Sequence, residues 1–245
     1  MSRRFEELDW QVTAMGEISL RRRVESTLRV DVFEVKLGEE FLMSSLFPVA
    51  EIELARLGLG AITASTSEDA AAGGGLDVVV GGLGLGYTAV AALEDPRVRS
   101  LAVVEALAPV ISWHERELLP DAVGLAADPR TRFVHGDFFA LVAGGEGFGQ
   151  GTPALLHAIL LDIDHTPSHV LHPSHAPFYG ARGLQGLRAH LHPGGVFALW
   201  SDDPPDEHFL ALLREGFGTA EAHLVPFANP LTGGTSSNSV YVAVA

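Results

Sequence analysis

The chain has 245 residues, 47% of them hydrophobic and 19% charged, which suits one large ordered α/β domain with a small accessory part. Its formal charge of −15 argues against nucleic acid as a partner and suits a small-molecule substrate that is a cationic amine. Because cysteine is absent, disulfides, thiolate catalysis and cysteine-bound metals are excluded.

The N-terminal residues MSRRFEELDW contain no apolar run after their arginines, so they do not predict a secretory signal. No stretch of the chain approaches about 18 consecutive apolar residues, and we expect no membrane span and no membrane partner. These features together predict a cytoplasmic protein.

The first part of the chain predicts a small β-rich region and a helix. Apolar residues alternate over 17–24 and 28–35, as in half-buried strands, and residues 37–41 are typical of a hairpin turn. A proline followed by apolar residues at helical spacing predicts a helix over 48–58. Residues 61–75 are small, polar and glycine-rich, which predicts a linker.

From residue 76 onward, short apolar runs alternate with helical stretches, which indicates a mainly parallel sheet covered on both faces. Only a loop separates the last two predicted strands, so we expect an antiparallel pair in which the final strand opposes the rest. The strands are predicted at 76–80, 100–105, 132–137, 157–164, 194–201, 219–227 and 237–245, and the helices at 86–95, 107–119, 138–143, 174–191 and 206–217.

A glycine cluster follows the first of these strands. Gly82, Gly84 and Gly86, preceded by Gly81, are spaced more tightly than the G-x-G-x-x-G of dinucleotide sites. This spacing indicates a turn where a nucleoside without a pyrophosphate approaches the main chain, beside the positive end of the next helix. Tight backbone packing is the alternative role for these glycines.

Carboxylates stand at the ends of the next two strands. From the position of Glu105, 19 residues after Gly86, a carboxylate can accept hydrogen bonds from both ribose hydroxyls. Asp137 ends the third strand, where a carboxylate can accept from an adenine amino group. Because ligands of open α/β sheets bind at the carboxyl ends of strands, these groups predict a nucleoside site.

The chain resembles the S-adenosylmethionine-dependent methyltransferase fold, and within it the spermidine synthase (aminopropyltransferase) branch, in the run VVVGGLGLGYTAVAAL…LAVVE…FVHGDFFAL…HAILLDID…PFYGARGLQGLRAHLHPGGVFAL. The resemblance implies a Rossmann-like seven-stranded sheet, with the last strand antiparallel, beside a small N-terminal β-rich piece. It divides the chain into an N-terminal region (1–60), a linker (61–75) and a cofactor-binding catalytic domain (76–245). A homodimer is compatible with it, since this family often pairs through N-terminal β structure.

The resemblance implies as cofactor S-adenosylmethionine or its decarboxylated form. The residues that would bind it are Gly81, Gly82, Gly84, Gly86, Glu105, Ala106, Asp137 and Phe138.

Asp162 ends the fourth strand and matches the acid that, in the family, binds and deprotonates the attacking amine. Asp164 beside it could add negative charge, and Tyr179 belongs to an FY pair that recurs in the family. Together with His165, these residues form the predicted catalytic set. A cap for a loop or for the next helix is the alternative role of Asp162.

Four histidines within eleven residues raise the question of a metal site. Two prolines interrupt their segment, so a continuous helix carrying a metal-binding pair is not expected. We expect no metal, and instead a lid in which His165 acts on substrate protonation. The histidines are His165, His169, His172 and His175.

The chain departs from the family pattern in ways that bear on the reaction. The family has an aspartate at the position of Gly84, which suits an aminopropyl arm and would repel the carboxylate of intact S-adenosylmethionine. His165 stands near the place of a second family aspartate, and a Tyr-Gln pair before the first large helix is absent. These departures favour methyl transfer to a small amine or hydroxyl substrate. Aminopropyl transfer to a polyamine and a non-catalytic nucleoside-binding module are the alternatives.

Overall fold

The computed structural model describes residues 5–63, 66, 70, 72, 74–145 and 147–245. The described residues form two β-sheets, of which the first is antiparallel with the strand order β1-β2-β3-β4. Of the predicted linker over 61–75, residues 64, 65, 67–69, 71 and 73 lie outside the described residues. The strands of the first sheet are β1 (Phe5–Thr13), β2 (Gly16–Glu25), β3 (Val30–Leu37) and β4 (Glu40–Ser44).

The second sheet has seven strands in the order β10-β11-β9-β8-β5-β6-β7. Strands β5 to β9 pair in parallel, whereas β11 is antiparallel to its neighbours β9 and β10. This confirms the α/β prediction of a Rossmann-like sheet whose last strand is antiparallel, beside a small β-rich N-terminal piece. The strands are β5 (Leu76–Gly81), β6 (Val98–Glu105), β7 (Thr131–His135), β8 (Leu156–Leu161), β9 (Leu191–Ser201), β10 (Thr219–Asn229) and β11 (Gly234–Val244).

Helices cover both faces of this second sheet and create two hydrophobic cores. Among the described residues, none of these helices is long and apolar enough to cross a membrane. The first core takes side chains from α1, α2 and α3, and the second from α4, α5 and α6. The helices are α1 (Val49–Gly60), α2 (Tyr87–Glu94), α3 (Ala108–Glu115), α4 (Phe138–Gly144), α5 (Ala181–Arg188) and α6 (Glu207–Gly216).

Strand β5 shows why the apolar runs in the sequence predict this sheet. Val78 and Val80 enter the first core and Val79 enters the second, so every residue of the strand is buried. The first sheet contributes Ile18 and Leu20 to the first core and therefore packs on the same side as α1. This packing brings β4 over the carboxyl ends of the parallel strands.

Most predicted strands and helices match the structure to within three residues at either end, and three elements differ more substantially. Strand β1 was not predicted, because this largely polar segment is held by its pairing with β2 and by contacts of Asp9 with the end of α3, a hydrogen bond from Trp113 Nε1 (2.7 Å) and an ion pair with Arg116 (3.3 Å). The helix predicted over 107–119 ends at Glu115, since Glu117 has a left-handed φ of 53°. The helix predicted over 174–191 is a 3-10 helix at Pro173–Tyr179 followed by α5, with a break at Gly180.

Candidate functional site

A cavity of about 290 Å³ opens at the carboxyl ends of β5, β6, β7 and β8, and its wall is mainly apolar. We call it the larger cavity, to distinguish it from a smaller pocket that adjoins it. The glycine loop after β5 forms one side, and Met43 of β4 covers it from the first sheet. Of the residues predicted from the sequence, the structure brings together in its wall Gly82, Gly84, Glu105, Ala106, Asp137, Phe138 and Asp162.

The glycines of the loop are required by packing against protein atoms. A Cβ atom at Gly82, where φ is +92°, would collide with the backbone carbonyl of Asp162. A Cβ at Gly86, also at +92°, would lie 2.7 Å from the His114 ring, and one at Gly81 would lie 2.7 Å from the Phe138 ring. The alternative role from sequence, tight packing, therefore accounts for these three residues. Gly81 is not part of the wall of the larger cavity.

Glu105 ties the glycine loop to the loop after β6. Its Oε2 accepts a hydrogen bond from the Leu83 N–H (3.0 Å), and its Oε1 accepts from the Leu107 N–H (2.8 Å). Burial raises the pKa of Glu105, and the backbone donors, first Leu107 and then Leu83, oppose that shift. The backbone N–H groups of Gly84 and Ala106 oppose the shift as well, so four backbone donors surround the Glu105 carboxylate at the cavity wall.

Asp137 has a structural role and keeps one free oxygen. Its Oδ1 caps α4 by accepting from the backbone N–H groups of Phe139 (2.9 Å) and Ala140 (3.2 Å). Within the described residues no group donates to Oδ2, and Asp137 lines the larger cavity. That oxygen is the acceptor in the wall at the end of β7.

A smaller pocket of about 70 Å³ adjoins the larger cavity. Its own lining includes Glu51, Tyr87, His165 and Trp200, together with Gly86 of the glycine loop. The wall shared by the two spaces consists of Leu42, Met43, Gly84, Asp162, Ile163 and Leu171.

Asp162 is therefore the carboxylate that both spaces share. Thr88 of α2 donates a hydrogen bond from Oγ1 to Asp162 Oδ2 (2.8 Å). Burial raises the pKa of Asp162 to about 6, which the Thr88 hydrogen bond opposes. Burial, then repulsion by Asp162 and Asp202, raise the pKa of Glu51 to about 8. Neither Glu51 nor Thr88 was predicted, and the only signal for Glu51 is an acid in the first turn of a largely apolar helix.

The structure places Asp164 and Tyr179 behind the cavity walls. The buried Asp164 carboxylate accepts from the Leu171 N–H (2.7 Å), from His175 Nδ1 (2.9 Å) and from the Tyr179 hydroxyl (2.8 Å). Burial, and after it the Asp164 charge, raise the pKa of Tyr179 well above its usual value. These contacts fasten the segment that was predicted to be a lid.

The four histidines do not converge on one point. His165 lines the smaller pocket with its Nε2 3.5 Å from Glu40 Oε1, whereas His172 and His175 line the larger cavity. The rings of His165 and His169 are 5.1 Å apart, and those of His172 and His175 are 5.9 Å apart. In the described part of the chain, no group of three His, Asp or Glu side chains could hold a metal ion.

His114 of α3 contacts the glycine loop and stabilises it by a hydrogen bond. Its Nε2 lies 2.9 Å from the Gly84 carbonyl and must donate, since a carbonyl only accepts. Its buried Nδ1 has no partner among the described residues, and burial lowers the pKa of His114. The neutral ring is therefore the form that fits the folded protein.

We expect acid to weaken the fold through His114. Because the folded pKa lies below the unfolded value, the unfolded chain alone gains a proton as pH falls through about 6.5, and stability decreases there. Urea unfolding between pH 5 and pH 8 should show a smaller loss for His114→Gln than for the unaltered protein. His208→Gln, at an exposed position, is the control. Equal pH dependence in all three proteins would contradict the prediction.

Comparison with known proteins supports the fold. No family model and no curated protein matches the chain. Spermidine synthase from Thermotoga maritima matches 97% of this chain and 72% of its own, at TM-score 0.69 and 16% identity. A spermidine synthase in complex with the transition-state analogue AdoDATO matches 97% and 73%, at TM-score 0.70 and 16% identity. Human methyltransferase-like protein 13 in complex with SAH matches 79% and 77%, at TM-score 0.51 and 19% identity.

The chain thus has the class I S-adenosylmethionine-dependent methyltransferase fold. More narrowly, its form is spermidine synthase-like, since both spermidine synthase matches extend over 97% of this chain, which requires the N-terminal sheet. This confirms the fold that the glycine cluster and the following strands imply by resemblance.

Proposed function

We propose that this protein transfers a methyl group from S-adenosylmethionine to a small amine. The observation that carries the proposal is the position of Asp162, a half-buried carboxylate in the wall between the larger cavity and the smaller pocket. A group in that wall can touch a donor on one side and an acceptor on the other. Asp162 is then the residue that orients the amine and takes its proton.

The residues of the larger cavity fit the nucleoside half of the donor. Glu105 lines the cavity beside the glycine loop, where the ribose would lie, and the free Oδ2 of Asp137 can accept from an adenine amino group. The mainly apolar remainder of the wall, including Ala106 and Phe138, can bury the flat faces of a base.

The smaller pocket fits an amine better than a hydroxyl compound. Glu51 and Asp162, both half-buried, line it, and a cation compensates two neighbouring carboxylates that a neutral alcohol would leave uncompensated. When bound, the donor supplies the methyl group: its S–C bond breaks, the N–C bond forms, and the sulfonium becomes a thioether. Asp162 holds the ammonium group, accepts one of its protons before the attack, and passes that proton to solvent.

Gly84 supports methyl rather than aminopropyl transfer. Its φ of +48° turns the missing side chain toward Met43, whose Sδ would lie 2.7 Å from a Cβ atom. The loop therefore places no carboxylate there to repel the carboxylate of an intact methionine tail.

Aminopropyl transfer is the second candidate, and the charge of the walls favours it. Among the described residues that line the two spaces there is no Arg or Lys, whereas Glu51, Glu105, Asp137 and Asp162 are acidic. A decarboxylated donor carries a purely cationic tail, which these walls would attract.

Calorimetry with the two donors, followed by mass spectrometry of the products from mixed amines, tests the proposal. We expect tighter binding of intact S-adenosylmethionine and an amine heavier by one methyl group. Tighter binding of the decarboxylated form with an aminopropyl product would establish the second candidate. Binding without any transfer would leave a nucleoside-binding module, and absence of binding would refute all three functions.

Gly84→Asp should shift the choice of donor. Because aspartate tolerates the left-handed φ at this position, the new carboxylate should weaken binding of intact S-adenosylmethionine about tenfold and strengthen binding of the decarboxylated form. Gly84→Asn is the isosteric control without the charge. Each replacement is best made together with Met43→Ala, which removes the atom that would contact the new Cβ. If the Asp and Asn variants discriminate equally between the donors, the assignment of this position fails.

A further inference from the structure

The smaller pocket holds a second carboxylate that the resemblance did not point to. Glu51 lies in the first turn of α1, and Asp162 follows β8. Thr88 joins these elements, because its Oγ1 is 2.8 Å from Asp162 Oδ2 and 3.2 Å from the backbone carbonyl of Glu51. The two acids therefore face one space of about 70 Å³ from a helix and from a strand end.

Among the described residues, no Arg or Lys lines the smaller pocket to balance the charges of Glu51 and Asp162. Apart from its own backbone N–H, no described residue donates a hydrogen bond to the Glu51 carboxylate. The titratable groups around Glu51 are Asp162 and Asp202, which repel its charge, and Tyr87 and His165, which line the same pocket. His165 is directed to Glu40 at 3.5 Å.

A second observation in this pocket also points to a ligand. Trp200 belongs to the lining, and its Nε1 is buried without a hydrogen-bond partner among the described residues. Buried polar groups in folded proteins are generally hydrogen-bonded, so exceptions in a cavity wall are typical of a binding site. The lining of the pocket thus contains both an acid without a basic partner and an unpaired donor.

We infer that Glu51 and Asp162 form a carboxylate pair that holds one proton between them and releases it when a primary ammonium ion enters the smaller pocket. This inference rests on the proposed function and names the substrate class, a small primary amine bound as its cation. Two carboxylates that face one small pocket do not both ionise easily without a counter-charge. The raised pKa values of both acids agree with this arrangement.

The proton balance then fits the transfer reaction. Ammonium binding releases the shared proton to solvent, so the pair becomes doubly ionised around the cation. Asp162 next accepts one proton from the ammonium group, which leaves a neutral amine with a free electron pair. Glu51 remains as the acceptor-binding residue whose charge holds the product cation.

Carbon-13 NMR of the side-chain carboxyl groups can follow this proton directly in the full chain. The Glu51 resonance is assigned by its loss in Glu51→Gln, with Glu53→Gln, two positions further along α1, as the matched control. In the unaltered protein at pH 7, the Glu51 signal should be that of a protonated carboxyl. Addition of n-propylammonium should shift it to the ionised form with release of roughly one proton per amine bound, and n-propanol should not.

The outcomes separate this inference from the proposed function. A Glu51 carboxyl that is already ionised at pH 7, or one that ignores n-propylammonium, overturns the pair. An amine response without any S-adenosylmethionine binding would support the pair and refute the transferase. If Glu51→Gln does not fold, selective labelling of glutamate and a pH titration of the unaltered protein still give the result.

Discussion

Gly82→Ala is expected to lower the free energy of unfolding by about 4 kcal/mol and to abolish binding of S-adenosylhomocysteine. The residue has a φ of +92°, where an L side chain is strained, and its Cβ would enter the backbone carbonyl of Asp162. To make room for this Cβ atom, either the glycine loop or the backbone after β8 must shift, and such a shift would move Asp162 out of the shared wall. Urea unfolding and calorimetry measure the two effects.

Gly124→Ala separates the two causes. Gly124 has a similar φ of +84°, but a Cβ there would meet nothing within 4 Å. We expect a cost of about 1 kcal/mol from backbone strain alone, with ligand binding unchanged. Equal losses in the two variants would show that close packing of the glycine loop against Asp162 is unimportant.

Asp162→Asn should reduce the rate of group transfer about 10³-fold and leave the affinity for S-adenosylhomocysteine within a few-fold. The amide can still accept the Thr88 hydrogen bond but cannot take a proton from the acceptor. Stability should not fall, since burial already disfavours the charged form of Asp162. Single-turnover kinetics with saturating amine measure the loss.

Asp203→Asn, at an exposed position after β9, is the control for Asp162→Asn and should transfer at the normal rate. In the unaltered protein the rate should level off above the pKa of the Asp162 carboxyl, about 6, whereas in Asp162→Asn it should keep rising with pH because only amine that is already neutral can react. A variant that retains the rate and its pH dependence would remove Asp162 from the reaction.

The sequence predicted the parallel sheet well because parallel strands that are buried on both faces have continuous apolar sequences. The run at β5 and the acids after β6, β7 and β8 place Glu105, Asp137 and Asp162 at one edge, and the structure brings them into one wall. For these strands and their terminal acids, the local apolar pattern and the rule that parallel strands end at one edge are sufficient, so the prediction needs no information about distant contacts.

Other features depend on contacts that no local pattern contains. Glu51 reaches the site only because α1 packs beside α2 and lies near Thr88. Asp164 belongs to the predicted catalytic set, and no local pattern indicates that three donors from the following segment hydrogen-bond to its carboxylate. Strand β1 forms by pairing with β2, and the sequence of β1 alone does not specify the register of that pairing.

The shared wall at Asp162 also has a kinetic consequence. A positive donor and a positive acceptor compete for the same nearby negative charge, whereas the uncharged spent nucleoside does not compete for it. The amine should therefore bind more tightly beside the spent nucleoside than beside the donor, and the two form a dead-end complex. Excess acceptor would then slow turnover, and the inhibition should lessen as the spent nucleoside is removed by a coupled hydrolase.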